Sequence, residues 1–182
     1  MKNSHTEIVA EMPKNTLDKV IAKLSEILSL LFVFTVIISF YEVASRYLFN
    51  APTIWVHESA SFIGGALFVL GGAYALATDK HVRVVLIYDA VSEKTKHYLN
   101  IFHHLAGLLF SGLLTYAAWQ MVTNSWLTPW GEVRLETSGT AWNPPFPALL
   151  KGLILVTVVL MFIQFTLHLI NEIQELKEDD NA

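Results

Sequence analysis

The sequence predicts an all-α membrane protein: four transmembrane helices, N- and C-termini cytoplasmic, and a short interfacial helix between helices 2 and 3. Three observations carry this. Residues 27–41, 59–78, 105–122 and 152–170 contain no Asp, Glu, Lys or Arg. Each reaches roughly 20 residues once its polar flanks are included, the length a helix needs to cross a hydrocarbon core. With the N-terminus inside, nine cations fall on inner segments (Lys2, Lys14, Lys19, Lys23, Lys80, Arg83, Lys94, Lys96, Lys177) and three outside (Arg46, Arg134, Lys151), the bias expected of cytoplasmic loops. Finally, Trp55, Trp119, Trp126, Trp130 and Trp142 all fall at or near the outer face, where amphipathic rings favour the headgroup level.

Taken in order, residues 1–15 read as a disordered N-terminus, and residues 16–172 as one four-helix transmembrane domain. From Thr16, the stripe Leu17, Val20, Ile21, Leu24, Ile27, Leu28 beside Asp18, Lys19, Lys23 and Glu26 predicts an amphipathic lead-in lying on the inner surface. The first 26 residues are polar and no small-residue cleavage site follows the first apolar stretch, so that stretch is expected to stay as an anchor. The first helix runs to about Phe49, where Asn50-Ala51-Pro52 ends it, because proline disfavours helical geometry in the residue before it. In the second helix, Glu58, Ser61, Gly65, Phe68, Gly72, Ala75 and Asp79 recur at spacings of three and four, a seam for close approach of another helix.

Residues 84–88 (Val-Val-Leu-Ile-Tyr) are too apolar for a solvated loop and too short to span, which predicts the interfacial helix. Ser92 is then placed to cap the third helix. An unbroken run from there to Ser125 would be on the order of 50 Å long. The outer loop 126–146 is rich in Trp, Gly and Pro, and Pro147 suits the first turn of the fourth helix. Glu172, Glu175, Glu178, Asp179 and Asp180 supply most of the net charge of −4, and 173–182 reads as a solvated, acidic cytoplasmic tail.

Composition narrows the function classes. Hydrophobic residues make up 53% of the chain and charged residues 15%, against about 25% in a soluble domain. The acidic balance argues against a nucleic-acid partner; membrane lipid is the expected surroundings. The absence of cysteine removes disulfides, zinc–thiolate sites, iron–sulfur clusters and thiol catalysis. No Ser/His/Asp arrangement, zinc-binding His-x-x-Glu-His run or phosphate loop is present, so no enzyme activity and no cofactor are expected. No internal repeat of the kind that builds most secondary transporters appears either.

Charges near hydrocarbon cost roughly 2.5–3.5 kcal/mol each at mid-membrane, so each needs a reason. Glu42 and Arg46 sit four apart at the outer end of the first helix, a spacing that permits an ion pair; Arg46 reaching Glu58 instead would pin the first two helices together. Lys151, one turn into the fourth helix, is read as snorkelling to the outer interface. His103, His104 and His168, all toward the inner side, raise a rival reading: two facing histidines could ligate haem, as in a cytochrome b-like anchor of a redox complex.

The run from Arg46 to Glu58 (Arg-Tyr-Leu-Phe-Asn-Ala-Pro-Thr-Ile-Trp-Val-His-Glu) resembles the helix 1–2 signature of the small membrane subunit of tripartite ATP-independent periplasmic (TRAP) transporters. That signature is an arginine-tyrosine-x-phenylalanine-asparagine run followed by a tryptophan, here Trp55, and a glutamate three residues later. Residues 71–76 (Gly-Gly-Ala-Tyr-Ala-Leu) leading to His81-Val82-Arg83 are similar to the family's second-helix end and inner turn, and Pro147 with Lys151 to the opening of its fourth helix. The likeness covers about residues 24–172. His57 and Val85 stand where the family often has acidic residues.

The resemblance implies a scaffold beside a large multi-spanning subunit that carries the sodium and substrate sites and moves as an elevator. A periplasmic substrate-binding protein would deliver an organic acid, and an ion gradient would drive uptake across the bacterial inner membrane. Arg46 and Glu58 would fix the outer hairpin, and His81 and Arg83 the inner turn.

Overall fold

The computed structural model describes residues 16–78 and 91–181. His81, Arg83, the expected interfacial helix at 84–88 and the expected disordered segment 1–15 lie outside the described residues. Among the described residues there are four helices: α1 (Thr16–Phe49), α2 (Ile54–Ala77), α3 (Glu93–Trp126) and α4 (Phe146–Asn181). All four are long and apolar enough to cross a membrane. Among the described residues, extended pairing is limited to one bridge, Leu127 to Val133, in the loop between α3 and α4.

The principal contacts are α1 with α2, α2 with α4, and α4 with α3, which gives the packing order α1–α2–α4–α3. Few apolar side chains are buried. The end of the bundle that carries Thr16 and Asn181, labelled inner after the expected orientation and the opposite end outer, holds a small core of Ile21, Ala73 and Ala77, with Leu17, Tyr74 and Met161 against it. Large side chains such as Phe32, Phe40, Leu48 and Phe102 face outward. In water such a surface would be untenable; for helices that cross a bilayer it is the lipid-facing side.

Local chemistry explains the helix ends. α1 stops where Asn50 turns left-handed (φ 51), and the Ala51 N–H closes the end on the Ser45 carbonyl at 3.1 Å. Asparagine tolerates that conformation better than most residues, and Pro52 prevents any continuation. Pro147 sits in the first turn of α4, where its missing N–H costs nothing. The Ser92 expectation is only half met. Ser92 occupies the N-cap position of α3 in extended geometry, but its hydroxyl lies 3.0 Å from the Thr95 hydroxyl and caps no backbone N–H.

The α2 seam differs from the expected one. Phe68 is 85% exposed and Ser61 is also exposed. At about 100° per residue, Phe68 lies roughly 80° around the helix from Glu58. The face that packs is Glu58, Phe62, Gly65, Gly72, Ala73 and Leu76: Phe62 stacks on Phe146 at 4.6 Å, and Gly65 lies under Leu150. The closer glycine contacts are elsewhere. A Cβ on Gly107 would overlap the buried Phe165 ring, and one on Gly152 would come within 2.6 Å of Trp126, so α3 and α4 approach through glycine at both ends.

These contacts rank the glycines. Gly107→Ala should cost about 1–3 kcal/mol through overpacking against a ring that cannot swing away. Gly65→Ala should cost less, because it meets only the mobile ends of Leu150. Gly72→Ala, whose new methyl finds nothing nearer than the Met161 sulfur at 3.9 Å, should be neutral or stabilising. Unfolding in mixed micelles measures all three; equal effects at positions 107 and 72 would refute the packing described.

Candidate functional site

The polar groups gather at the two ends of the bundle, and each cluster ties helices together. At the outer end, Glu42 accepts from Arg46 through Oε1 (2.6 Å from Nη2, 3.2 Å from Nε), while its Oε2 accepts the Thr53 backbone N–H at 2.8 Å and the Thr53 hydroxyl. Of the two partners open to Arg46, the structure gives Glu42. The α1–α2 hairpin is therefore held by Glu42 gripping the first residues before α2, not by an Arg46–Glu58 pair. Arg46 remains half-exposed, and Trp55 is exposed beside Tyr41, ring centroids 6.4 Å apart.

Glu58 instead reaches across to the α3–α4 loop. Its Oε1 accepts from Ser138 Oγ at 3.1 Å and from the Thr140 hydroxyl. The loop is built to present those hydroxyls: Gly139 takes a positive φ (73°) and its N–H donates to Asn143 Oδ1 at 3.0 Å, and the Ser138 N–H donates to the Pro144 carbonyl. Lys151 does not snorkel freely. Its ammonium pairs with Glu136 of the same loop, whose carboxylate also accepts from Ser125 Oγ at 2.6 Å. The Lys151 and Ser125 hydrogen bonds hold the Glu136 carboxyl below its ordinary value of 4.5. The Trp126 indole closes this end by donating to the Ala148 carbonyl at 2.8 Å.

The inner end contains what sequence reasoning missed. Asp18, expected on the polar side of a surface-lying lead-in, is completely buried. Its Oδ1 accepts from Gln164 Nε2 at 3.0 Å and its Oδ2 lies 2.8 Å from His168 Nε2. Gln164 also donates toward the Ala73 carbonyl at 3.4 Å, so one cluster joins α1, α2 and α4. Residues 16–26 thus continue α1, with Leu17, Asp18 and Ile21 packed on the bundle, where the Asp18 carboxylate finds donors that compensate its lost hydration. The signal available in the sequence was Gln164 and His168, four apart in an otherwise apolar helix.

Glu172, expected in solvent, is buried and accepts from Asn100 Nδ2 at 2.9 Å, with His97 Nδ1 at 2.7 Å, tying α3 to α4. α4 itself runs on to Asn181 through the acidic segment.

The histidines are not arranged as axial ligands. His104 and His168 meet edge to face with centroids 5.5 Å apart, which leaves no slot for a porphyrin, and the His168 Nε2 that would bind iron is engaged by Asp18. The haem reading is therefore not supported.

Two outcomes test these clusters. Asp18→Ala leaves two buried donors without their acceptor and should lower stability in mixed micelles by about 1–3 kcal/mol, with Asp18→Asn less affected; wild-type stability in both would show the cluster to be idle. Because Glu136 is depressed when folded, its contribution is fully present above 4.5 and lost as the pH falls through its lowered value. Melting temperature followed from pH 7 to pH 3 should fall less steeply in Glu136→Gln than in the wild type; an identical acid limb would contradict the Lys151–Glu136 tether.

Comparison with known proteins agrees with the fold. No curated protein sequence matches this chain. The family model described as "Tripartite ATP-independent periplasmic transporters, DctQ component" matches residues 35–175, from the second half of α1 through most of α4. That stretch includes every helix–helix tether described above except the Asp18 end of the inner cluster. The chain is a member of the DctQ family, the small component of TRAP transporters.

Proposed function

We propose that this chain is the fixed scaffold subunit of a sodium-driven uptake system for an organic acid in the bacterial inner membrane. It pairs with a large elevator-type membrane subunit and receives its substrate through a periplasmic binding protein. Both termini face the cytoplasm. The observation that carries this reading is where the polar groups go. Asp18, Glu42, Glu58, Glu136, Lys151, Gln164, His168 and Glu172 are all engaged in hydrogen bonds within the chain, most of them between helices or between a helix and a loop. A substrate-carrying subunit would instead aim such groups into a cavity between its helices. A pocket of about 680 Å³ is lined by apolar residues of α3 and α4, among them Leu105, Leu109 and Phe162.

Arg46 and Trp55, left outward-facing at the α1–α2 turn, are assigned to the partner-facing surface, while Gly65 and Gly72 serve the internal α2–α4 contact. The test is affinity purification of the full chain from native membranes in mild detergent, followed by reconstitution. A larger multi-spanning protein should co-purify in stoichiometric amount. Sodium-dependent uptake should require that protein, and Arg46→Ala should reduce complex yield without changing apparent substrate affinity. Transport by this chain alone, or co-purifying redox subunits, would overturn the proposal.

A further inference from the structure

Three carboxylates organise the outer end, and two of them have their own cation: Arg46 for Glu42 and Lys151 for Glu136. Glu58 is different. Its only donors among the described residues are the hydroxyls of Ser138 and Thr140, both on Oε1, while Oε2 is buried and receives no hydrogen bond. A carboxylate is an acceptor only, so a bare, desolvated oxygen on it calls for an N–H or O–H donor, and a cationic one best offsets its charge.

Beside Glu58 lies a pocket of about 380 Å³ between the start of α2, the loop and the start of α4. Phe62, Phe146, Pro147 and Leu150 make its apolar wall, and His57 and Ser61 contribute polar groups to it. Trp142 packs edge-on against Phe146 at 5.4 Å, so the pocket opens at the level where aromatic side chains mark the headgroup region. A cationic donor attached to apolar chains fits both features at once. A protein cation would satisfy Glu58 but would make less use of an apolar wall continuous with lipid-facing helices.

We propose that this pocket binds a lipid headgroup bearing a primary ammonium, as in phosphatidylethanolamine. The ammonium pairs with the Glu58 carboxylate, the His57 ring meets the phosphate, and the chains lie against Phe62, Phe146 and Leu150. The proposal needs only the membrane setting and does not depend on the transporter partners, so the two can fail separately.

The test is native mass spectrometry of the full chain, delipidated in detergent and titrated with phosphatidylethanolamine, phosphatidylcholine and phosphatidylglycerol of identical chains. Phosphatidylethanolamine should bind roughly tenfold more tightly than phosphatidylcholine, whose quaternary nitrogen cannot donate. Glu58→Gln should abolish that preference. Ser61→Trp, which keeps Glu58 but fills the pocket, should abolish it as well, so a folding defect in the first variant does not decide the matter. Equal binding of the two lipids, or an unchanged preference in Ser61→Trp, would overturn the assignment. Free ethanolamine competing as well as the lipid would make the ligand a soluble amine and also overturn it. So would a preference seen in the chain alone but lost in the native complex, which would give the pocket to a cation of a partner subunit.

Discussion

A bilayer gives one apolar helix no hydrophobic reason to prefer another, since lipid tails are as apolar as leucine. The arrangement of this chain follows from that constraint. Packing at small residues and hydrogen bonds between helices must supply the specificity that burial supplies in water. Gly107 and Gly152 let α3 and α4 approach around Phe165 and Trp126. Glu42, Glu58 and Glu136 then fix the outer ends, and Asp18 and Glu172 the inner ends. Among the described residues, buried polar side chains are about as numerous as buried apolar ones, and they are tolerable because most are paired.

The pairing also decides which helix sits beside which. Asp18 on α1 meets Gln164 and His168 on α4, and Gln164 also donates toward the Ala73 carbonyl of α2, so the inner ends of three helices converge on Gln164. Among the described residues α3 packs chiefly on α4, by Asn100 and His97 to Glu172 and by Trp126 to the Ala148 carbonyl. The result is an open row, not a closed bundle. An open row of long helices leaves broad apolar faces on α1 and α3, where Phe40 and Phe102 point away from the chain.

The features legible in the sequence were those set by local chemistry. Hydropathy located four spans, Asn50-Ala51-Pro52 ended the first, and Pro147 opened the last. What escaped depended on residues far apart in the chain. Glu58 was a plausible partner for Arg46 until a loop some eighty residues away delivered Ser138 and Thr140 to it. Asp18 looked like the wet side of an amphipathic stripe because its donors lie about 150 positions further on. Phe68 was misplaced for a subtler reason: like Ser61 it follows a step of three, which turns it about 60° from the residue before it in the stripe, whereas Gly65 and Gly72, whole heptads from Glu58, drift only about 20° per heptad and stay on the packed face.

An open row has a mechanical consequence. Sliding any helix along its neighbour would have to break a carboxylate contact at one end or drive a side chain into Leu150, Phe165 or Trp126. Both are costly: the first strips a carboxylate of its donors and the second overpacks a close contact. Rigidity of this kind suits a part against which something else moves, and it is poorly suited to a subunit that must itself alternate between two shapes. The apolar faces of α1 and α3 then become useful in a way they could not be in a closed bundle: they allow a wide lateral footprint in the membrane from only four helices. For a scaffold beside a moving partner, width and stiffness are the properties that matter, and both come from the same few residues at the ends of the row.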